Sequence, residues 1–300
     1  MRIRLLVSIA IGISSGAMTW FLMARLGLGA ADFNWAYDAA RDLVAHRDPY
    51  AATLPGIIPY PLPAALFAVP FSWLPRGVAA GAFFGTSSAV LAFGLTRNGF
   101  RRLLVFLSYP YWAALITAQW TPLLAASACF QLFLPLTLAK PHIGIPVAGV
   151  NLSRRGLLLS ALVLASSFVI SPTWLREWVA QLSGYQHFYP ILVFPGILLA
   201  LALFRYRDRD AQLLLLASIV PQRWFYDQFI LFLIPKSRRE LVYTTGLSWI
   251  PGIWRWFHTP RTMSEVGLWA VLWLFLPMLV TVLLRKQPRF VPFSDSLSTG

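Results

Sequence analysis

Long apolar runs, interrupted by short polar stretches, dominate the chain as far as residue 284. The first run, 5–28, is long enough to cross a bilayer, which takes about 20 residues. A polar and proline-rich stretch, 29–61, separates it from a series of apolar segments in 62–284. Alternating strands of a barrel are absent, so the pattern predicts an all-α fold. We expect a polytopic transmembrane helical bundle of about eight to ten membrane segments, some of them short.

The stretch 29–61 contains one amphipathic pattern. Apolar residues recur at helical spacing: Phe33, Ala36, Tyr37, Ala40 and Val44. Polar residues fall on the opposite side: Asp38, Arg41 and Asp42. This spacing predicts an extracytoplasmic amphipathic helix that lies on the membrane after the first span. Pro49 ends it, because proline disfavours helix in the residue before it.

The segment 121–139 allows two topologies. It is apolar but contains Pro135, and it ends at Lys140-Pro141-His142. If the segment crosses the membrane once, Lys140 is cytoplasmic. If it consists of two half-helices split near Gln131, Lys140 returns to the outer side. We favour the broken version, because Arg154 and Arg155 supply a cytoplasmic end shortly afterwards.

Composition and charge support a membrane protein. The chain is 58% hydrophobic and 12% charged, whereas soluble domains carry about 25% charged residues. The net charge of +14 comes largely from short basic clusters at the ends of apolar runs. Such clusters set topology by the positive-inside rule, so they argue against nucleic-acid binding. They predict a cytoplasmic N-terminus, a retained first helix, one integral membrane domain over 1–300 and a cytoplasmic tail over 285–300.

Acidic residues are rare and concentrated near the first predicted outer loop. The chain has 11 of them, and four lie close together: Asp32, Asp38, Asp42 and Asp48. The predicted topology adds further polar residues to the same face: Tyr50, Gln119, Arg223 and Asp227, with Lys140 and His142 if the hairpin is broken. A carboxylate can take a proton from an acceptor hydroxyl, and cations can stabilise a departing phosphate.

Several short motifs occur in an order that resembles a known family. Asp32 and Tyr37 follow the first helix, and Asp48-Pro49-Tyr50 precedes Tyr60-Pro61-Leu62-Pro63. This start looks like that of the polyprenol-phosphate-dependent glycosyltransferases of the GT-C superfamily, in particular the bacterial mannosyltransferase-like GT87 family (DUF2029). Three later elements are similar to its Gly-Gln, Lys-Pro and Ser-Pro-x-x-Trp motifs: Ala118-Gln119, Lys140-Pro141 and Val220–Tyr226. The resemblance covers about two thirds of the chain, in a shortened form.

The resemblance implies an inverting glycosyltransferase in the bacterial cytoplasmic (inner) membrane. It would move a mannose-like sugar from a polyprenyl-phosphate donor to a lipid or glycan acceptor on the periplasmic, extracytoplasmic face. Asp32 would be the catalytic base, and Lys140, Arg223 and His142 would bind the donor phosphate. Four further residues complete the expected substrate-binding set: Tyr50, Asp48, Gln119 and Asp227. The reaction would need no cofactor or metal beyond the donor, and a protein partner could complete the short fold.

Simpler interpretations of the same residues remain open at this stage. Asp32 could be the N-cap of the amphipathic helix, and Asp38 and Asp42 could form a solvated face paired with Arg41. Asp48 before proline is typical of a turn. Arg223 and Asp227, four positions apart, could form a structural ion pair on a helix.

Two rival functions also fit the sequence. The first is a catalytically silent membrane subunit that keeps the scaffold within a larger complex. The second is a lipid flippase or transporter, which would place paired ionisable residues near the membrane midplane or contain an inverted repeat.

Overall fold

The computed structural model describes residues 1–27, 29–51 and 59–285, and helices account for most of them. The α-helices are α1 (Arg2–Leu26), α2 (Ala31–Val44), α3 (Leu62–Ala68), α4 (Arg76–Leu95), α5 (Tyr109–Thr117), α6 (Thr121–Ser127), α7 (Pro141–Gly149), α8 (Arg154–Ile170), α9 (Trp174–Ala180), α10 (Arg209–Ile219), α11 (Arg238–Phe257), α12 (Met263–Ala270) and α13 (Leu276–Leu284). A π-helical turn, Val271–Phe275, joins α12 to α13. Within these described ranges, extended chain pairs only at an isolated antiparallel bridge between Phe188 and Gln222.

Short 3₁₀-helices connect or extend the α-helices. They are Val69–Phe71, Thr96–Asn98, Arg101–Leu107, Gln131–Ala139, Gln181–Gly184, Pro190–Leu192, Gly196–Arg205 and Asp227–Leu233. The predicted all-α fold is therefore confirmed for the described part of the chain.

Three helical stretches of the described chain are long and apolar enough to cross a membrane: Arg2–Leu26, Arg76–Asn98 and Met263–Leu284. A fourth crossing is obtained if Arg154–Ile170 and Trp174–Gly184, which meet at 89°, are counted as one broken span. The chain thus has several helices of membrane-spanning length, as a multi-pass protein does. The count of eight to ten segments, which included short ones, stays a prediction.

Helices α1 and α8 expose apolar side chains along most of their length. Ile13 on α1 is 67% exposed, and Leu162 and Val169 on α8 are 63% and 83% exposed. A helix that is apolar all round is typical of surroundings without water, such as lipid.

Helices α1 and α4 pack closely in antiparallel directions through glycines. A Cβ atom added to Gly16 would lie 2.6 Å from the Gly81 carbonyl oxygen, and one added to Gly85 would lie 2.7 Å from the Gly12 carbonyl oxygen. Each helix therefore contributes a Gly-x-x-x-Gly pair, which lets two backbones touch as membrane helices often do. The Tyr111 hydroxyl adds hydrogen bonds to Ser15 and Ser88 across the same interface.

We expect Gly16→Ala to destabilise the bundle, because its methyl group would overlap the α4 backbone. The expected loss is about 1–3 kcal/mol in the free energy of unfolding, measured by denaturant titration in detergent. Gly246→Ala is the matched control, since a Cβ at Gly246 meets nothing within 4 Å. That control should be neutral or stabilising by about 0.5–1 kcal/mol. Equal effects of the two substitutions would contradict the close packing.

Helix α2 forms where the amphipathic pattern predicts it, but its apolar side is covered by protein. Phe33, Ala36 and Ala40 are completely buried, and the ring of Phe33 stacks on Phe83 of α4 at 4.4 Å between centroids. The apolar side chains whose spacing predicted a helix on the membrane pack against α3 and α4. Periodicity identifies an apolar face, but it cannot tell protein from lipid as its partner.

Two simpler interpretations of the acids on α2 are wrong in detail. Ala30 is the N-cap of α2, so Asp32 lies in the first turn and does not cap the helix. Asp38 and Asp42 are paired with arginines as expected, but not with Arg41. The structure shows two ion pairs of 2.6 Å each, Asp38 with Arg76 and Asp42 with Arg47.

The predicted break in 121–139 is confirmed by the fold. Helix α6 ends at Ser127 and a separate 3₁₀-helix starts at Gln131. Gln119 and Lys140 flank this segment, and the Lys140 Nζ donates to the Gln119 Oε1 at 3.0 Å. Because Gln119 and Lys140 touch, both ends of the segment lie at the same end of the bundle. The segment is therefore a hairpin of two short helices.

Basic side chains gather at one end of the bundle, which we call the basic end. Arg4 at the start of α1 donates to the Phe93 carbonyl on α4. Two further arginines bind carbonyls where other helices end, Arg102 that of Leu233 and Arg285 that of Ile234. The 25 residues of α1 rise about 37 Å, so the residues that follow α1 lie far from this end.

Candidate functional site

Asp32 lies in the first turn of α2, at the far end of α1 from the basic end. The Tyr60 hydroxyl donates to Asp32 Oδ1 at 2.6 Å, and the Gln119 amide nitrogen donates to Asp32 Oδ2. Both oxygens of the carboxylate are thus held by side chains from distant parts of the chain.

Gln119 connects Asp32 to a lysine. The Gln119 side chain is completely buried, and its Oε1 accepts from Lys140 Nζ at 3.0 Å and from the Trp120 backbone N–H at 3.2 Å. Two donors on the amide oxygen leave the amide nitrogen to face Asp32. The amide therefore has a fixed orientation between a carboxylate and an ammonium group.

A left-handed residue positions Gln119. Ala118 ends α5 with φ 48° and ψ 52°, a conformation that costs an L-residue about 1–2 kcal/mol and that glycine adopts freely. The turn lets the Gln119 backbone N–H bond back to the Ala114 carbonyl at 2.9 Å. Backbone strain thus occurs directly beside a buried polar side chain.

Lys140 and Asp227 form a buried ion pair of 2.7 Å, with side chains 3% and 0% exposed. The Lys140 ammonium also faces the Tyr226 ring at 4.9 Å. Burial by itself would raise the pKa of Asp227, but the neighbouring Lys140 ammonium and His142 lower it well below its usual value. Asp227 is therefore ionised, and Lys140 lies beside it as its ion-pair partner inside the protein.

Asp227 also organises the loop that contains Arg223. Its Oδ2 accepts the Arg223 backbone N–H at 3.0 Å. The expected side-chain ion pair on a helix is wrong, because Asp227 begins a 3₁₀-helix and binds the Arg223 backbone and the Lys140 ammonium. The Arg223 guanidinium instead lies over the Tyr185 ring at 5.3 Å. Its buried Nε has no hydrogen-bond partner within the described chain.

His142 completes the cluster in the first turn of α7. Its Nε2 is 2.9 Å from the Tyr185 hydroxyl and 3.8 Å from Asp227 Oδ2. Burial lowers the pKa of His142, and Asp227 does not fully offset the effect. The lowered pKa favours the neutral imidazole, whose tautomer decides whether His142 or Tyr185 donates in their hydrogen bond.

Part of this cluster lines a cavity of about 340 Å³, at the lower end of the range for small-molecule sites. Its polar part contains Asp32, Lys140, His142, Tyr185 and Arg223. The rest of its wall is apolar and aromatic and includes Pro59, Pro61, Ile145, Trp178, Leu182, Val220 and Pro221. A polar group and an apolar chain can therefore bind side by side.

Of the eight predicted site residues, the structure brings six into this cluster: Asp32, Gln119, Lys140, His142, Arg223 and Asp227. Asp48 lies outside it, because its carboxylate caps the Tyr50 backbone N–H at 2.8 Å in a turn. Tyr50 supports the site from behind, since its hydroxyl donates to the Tyr60 carbonyl at 3.0 Å. Asp48 and Tyr50 are therefore not cavity residues.

Sequence reasoning missed the roles of Tyr60 and Tyr185. Tyr60 stands out in the sequence only as part of the motif Tyr60-Pro61-Leu62-Pro63. Burial, and then the charge of Asp32, raise the pKa of Tyr60, so its hydroxyl stays a hydrogen-bond donor. The signal that could have found it is a tyrosine flanked by prolines directly before an apolar run.

The described residues contain no group of three or more His, Cys, Asp or Glu side chains arranged to hold a metal ion. No protein-family model, curated protein or solved structure matches the chain. Fold and site by themselves define a class: a helical protein with several helices of membrane-spanning length and a partly apolar cavity beside a buried ion pair.

Proposed function

We propose that the protein is a membrane glycosyltransferase that moves a sugar from a polyprenyl-phosphate donor to a lipid or glycan acceptor. The observation that carries the proposal is the arrangement of Asp32, Lys140, His142 and Arg223 around one half-apolar cavity. A carboxylate for proton removal and cations for a phosphate thus face the same space. The motif resemblance agrees with this assignment.

Asp32 is the proposed base. The acceptor hydroxyl attacks the anomeric carbon of the sugar, its proton passes to the Asp32 carboxylate, and the carbon–oxygen bond to phosphate breaks. The polyprenyl phosphate leaves with the electron pair, and the configuration of the sugar is inverted. Tyr60 and Gln119 occupy one position on each oxygen of Asp32, which leaves further lone pairs for the acceptor.

Arg223 is the proposed main ligand of the donor phosphate. The Lys140 ammonium already donates hydrogen bonds to Gln119 and to the Asp227 carboxylate. Its charge is therefore largely neutralised by Asp227 before any donor binds. Arg223 has a buried donor, Nε, without a hydrogen-bond partner among the described residues, and its guanidinium lies over the Tyr185 ring. Guanidinium groups suit phosphate oxygens because they offer paired donors, and His142 can add a further hydrogen bond.

The polyprenyl chain is proposed to follow the apolar wall of the cavity. Ile145, Trp178 and Leu182 lie on that wall, and the Trp178 indole N–H is anchored to the Pro59 carbonyl at 3.1 Å. A lipid-linked donor can approach such a wall from the bilayer. A water-soluble nucleotide sugar would gain nothing from it.

An outer-face reaction in the cytoplasmic membrane is the proposed location. The cavity lies beyond the far end of α1 from the basic end, and α1 rises about 37 Å. Because basic clusters stay cytoplasmic, this separation supports a site on the extracytoplasmic side. It also supports a transferase over a transporter, whose paired charges would lie near the midplane.

We expect Arg223→Gln to raise the KM for the donor about 10- to 100-fold, because a hydrogen bond to a charged group contributes about 1.5–3 kcal/mol. The measurement is sugar transfer in proteoliposomes supplied with labelled polyprenyl-phosphate sugars at several concentrations. Arg76→Gln is the control: Arg76 lies beside α2 but forms an exposed pair with Asp38, and its loss should leave KM unchanged. An unchanged KM in Arg223→Gln would mean that Arg223 does not bind the donor phosphate.

A folded wild-type protein that transfers no sugar from any donor would contradict the proposal. That outcome would favour the catalytically silent subunit. Folding is checked in the same preparations by gel filtration and thermal unfolding in detergent.

A further inference from the structure

A second cavity lies at the basic end, far from the site. It has a volume of about 570 Å³ and lies between α1, the 3₁₀-helix Arg101–Leu107 and the start of α11. Apolar side chains form most of its wall, among them Ile11, Leu103, Phe106 and Leu107. Two arginines, Arg101 and Arg238, complete the lining.

Neither arginine forms an ion pair with an acidic residue of the described chain. Their neighbour Arg102 turns inward to the Leu233 carbonyl. The acidic residues at the basic end already bind other groups of the protein. Asp210 and Glu240 bind Arg285, and Asp208 caps α10.

Helix α11 positions Arg238 at the rim of this cavity. Arg238 is its first residue, and the helix contains 20 residues. Ser237 and Glu240 form a capping box there, so the helix start is well ordered and Arg238 is held at the rim.

We propose that this cavity binds one anionic phospholipid, with its phosphate between Arg101 and Arg238 and an acyl chain along Leu103, Phe106 and Leu107. Charge complementarity selects this occupant: two unpaired guanidinium groups border an apolar groove, so an anion with an attached hydrocarbon chain satisfies both parts. A free phosphate would leave the groove empty, and a zwitterionic lipid would be attracted less. This lipid is distinct from the donor, whose cavity is at the other end of α1.

The test is lipid binding by the full chain in detergent. Phosphatidylglycerol and phosphatidylcholine with the same acyl chains are titrated, and binding is followed by native mass spectrometry and by the temperature of unfolding. We expect phosphatidylglycerol to bind and to stabilise the protein. Arg101→Gln/Arg238→Gln should weaken its binding about tenfold or more, because the variant removes both guanidinium groups that attract the lipid phosphate. Phosphatidylcholine should have a much smaller effect.

Arg207→Gln/Arg209→Gln is the matched control. It removes the same charge from the same end, but neither residue lines the cavity. The proposal is overturned if both double variants bind phosphatidylglycerol equally, if phosphatidylcholine binds as well, or if inorganic phosphate stabilises the protein as much. Binding and stability do not depend on sugar transfer, so the result is independent of the proposed enzymatic function.

Should Arg101→Gln/Arg238→Gln fail to fold, wild-type protein provides a second test. Anionic lipid purified with the wild type should be retained in native mass spectra and displaced by added phosphatidylglycerol, but not by phosphatidylcholine. Equal displacement by the two lipids would overturn the proposal.

Discussion

Asp32→Asn should abolish most of the sugar transfer while leaving the protein folded. The substitution keeps the shape of the side chain. Its oxygen can accept from the Gln119 amide, and its own amide N–H can donate to the Tyr60 hydroxyl oxygen, which now donates to Asp32. An amide, however, cannot take a proton at neutral pH. A positioned general base contributes about 10²- to 10⁴-fold to a rate. We expect a fall of this size in kcat, with the KM for the donor little changed, because phosphate binding is assigned to Arg223.

Asp48→Asn is the control for this experiment. Asp48 lies in the same polar stretch, but its carboxylate caps the Tyr50 backbone N–H outside the cavity. Transfer by Asp48→Asn should therefore stay close to that of the wild type. If Asp32→Asn keeps its activity, the base lies elsewhere, and the assignment of Asp32 fails even though the protein would still be an enzyme.

Removal of one partner of the Lys140–Asp227 pair should have the largest effect on stability. Both side chains are buried, so Asp227→Asn leaves an ammonium group without a counter-charge, and Lys140→Met does the same to a carboxylate. Each single substitution should lower the free energy of unfolding by about 3–5 kcal/mol. Denaturant titration in detergent measures this quantity.

Two comparisons make this prediction specific. Asp38→Asn breaks an exposed ion pair with Arg76 and should cost at most about 1 kcal/mol. The double variant Lys140→Met/Asp227→Asn removes both charges, so its loss should be smaller than the sum of the two single losses by about 0.5–3 kcal/mol. Similar losses in Asp227→Asn and Asp38→Asn, or strict additivity in the double variant, would contradict a buried, mutually dependent pair.

Local patterns in the sequence predicted much of the fold. Apolar runs and the prolines between them identify a helical chain with segments of membrane-spanning length, because helix formation and hydrophobicity are properties of neighbouring residues. The break within 121–139 was predictable from the charge pattern, because Arg154 and Arg155 supply a cytoplasmic end shortly after Lys140. Pro135 itself lies inside the 3₁₀-helix that follows the break. The partner of the apolar face of α2 was not predictable, because the same periodicity suits protein and lipid.

Individual polar residues were also predictable, because an ionisable group in an apolar chain is costly and therefore conspicuous. Lys140 was recognised in this way, whereas Asp32 stood out as one of a few clustered acids and Asp227 was placed on the same face by the predicted topology. Their contacts were not predictable. Gln119 meets Asp32 across 87 positions, and Lys140 meets Asp227 across another 87.

By itself, the sequence determined that this is a helical chain of membrane-protein composition and which few polar residues need an explanation. Only the tertiary structure decided that Gln119 joins Asp32 to the Lys140–Asp227 pair, that Tyr60 and Tyr185 belong to the cluster, and that Asp48 does not. The reason is physical. Periodicity and composition act over a few turns of helix, whereas the cavity is formed by helix ends whose meeting depends on how the whole bundle packs.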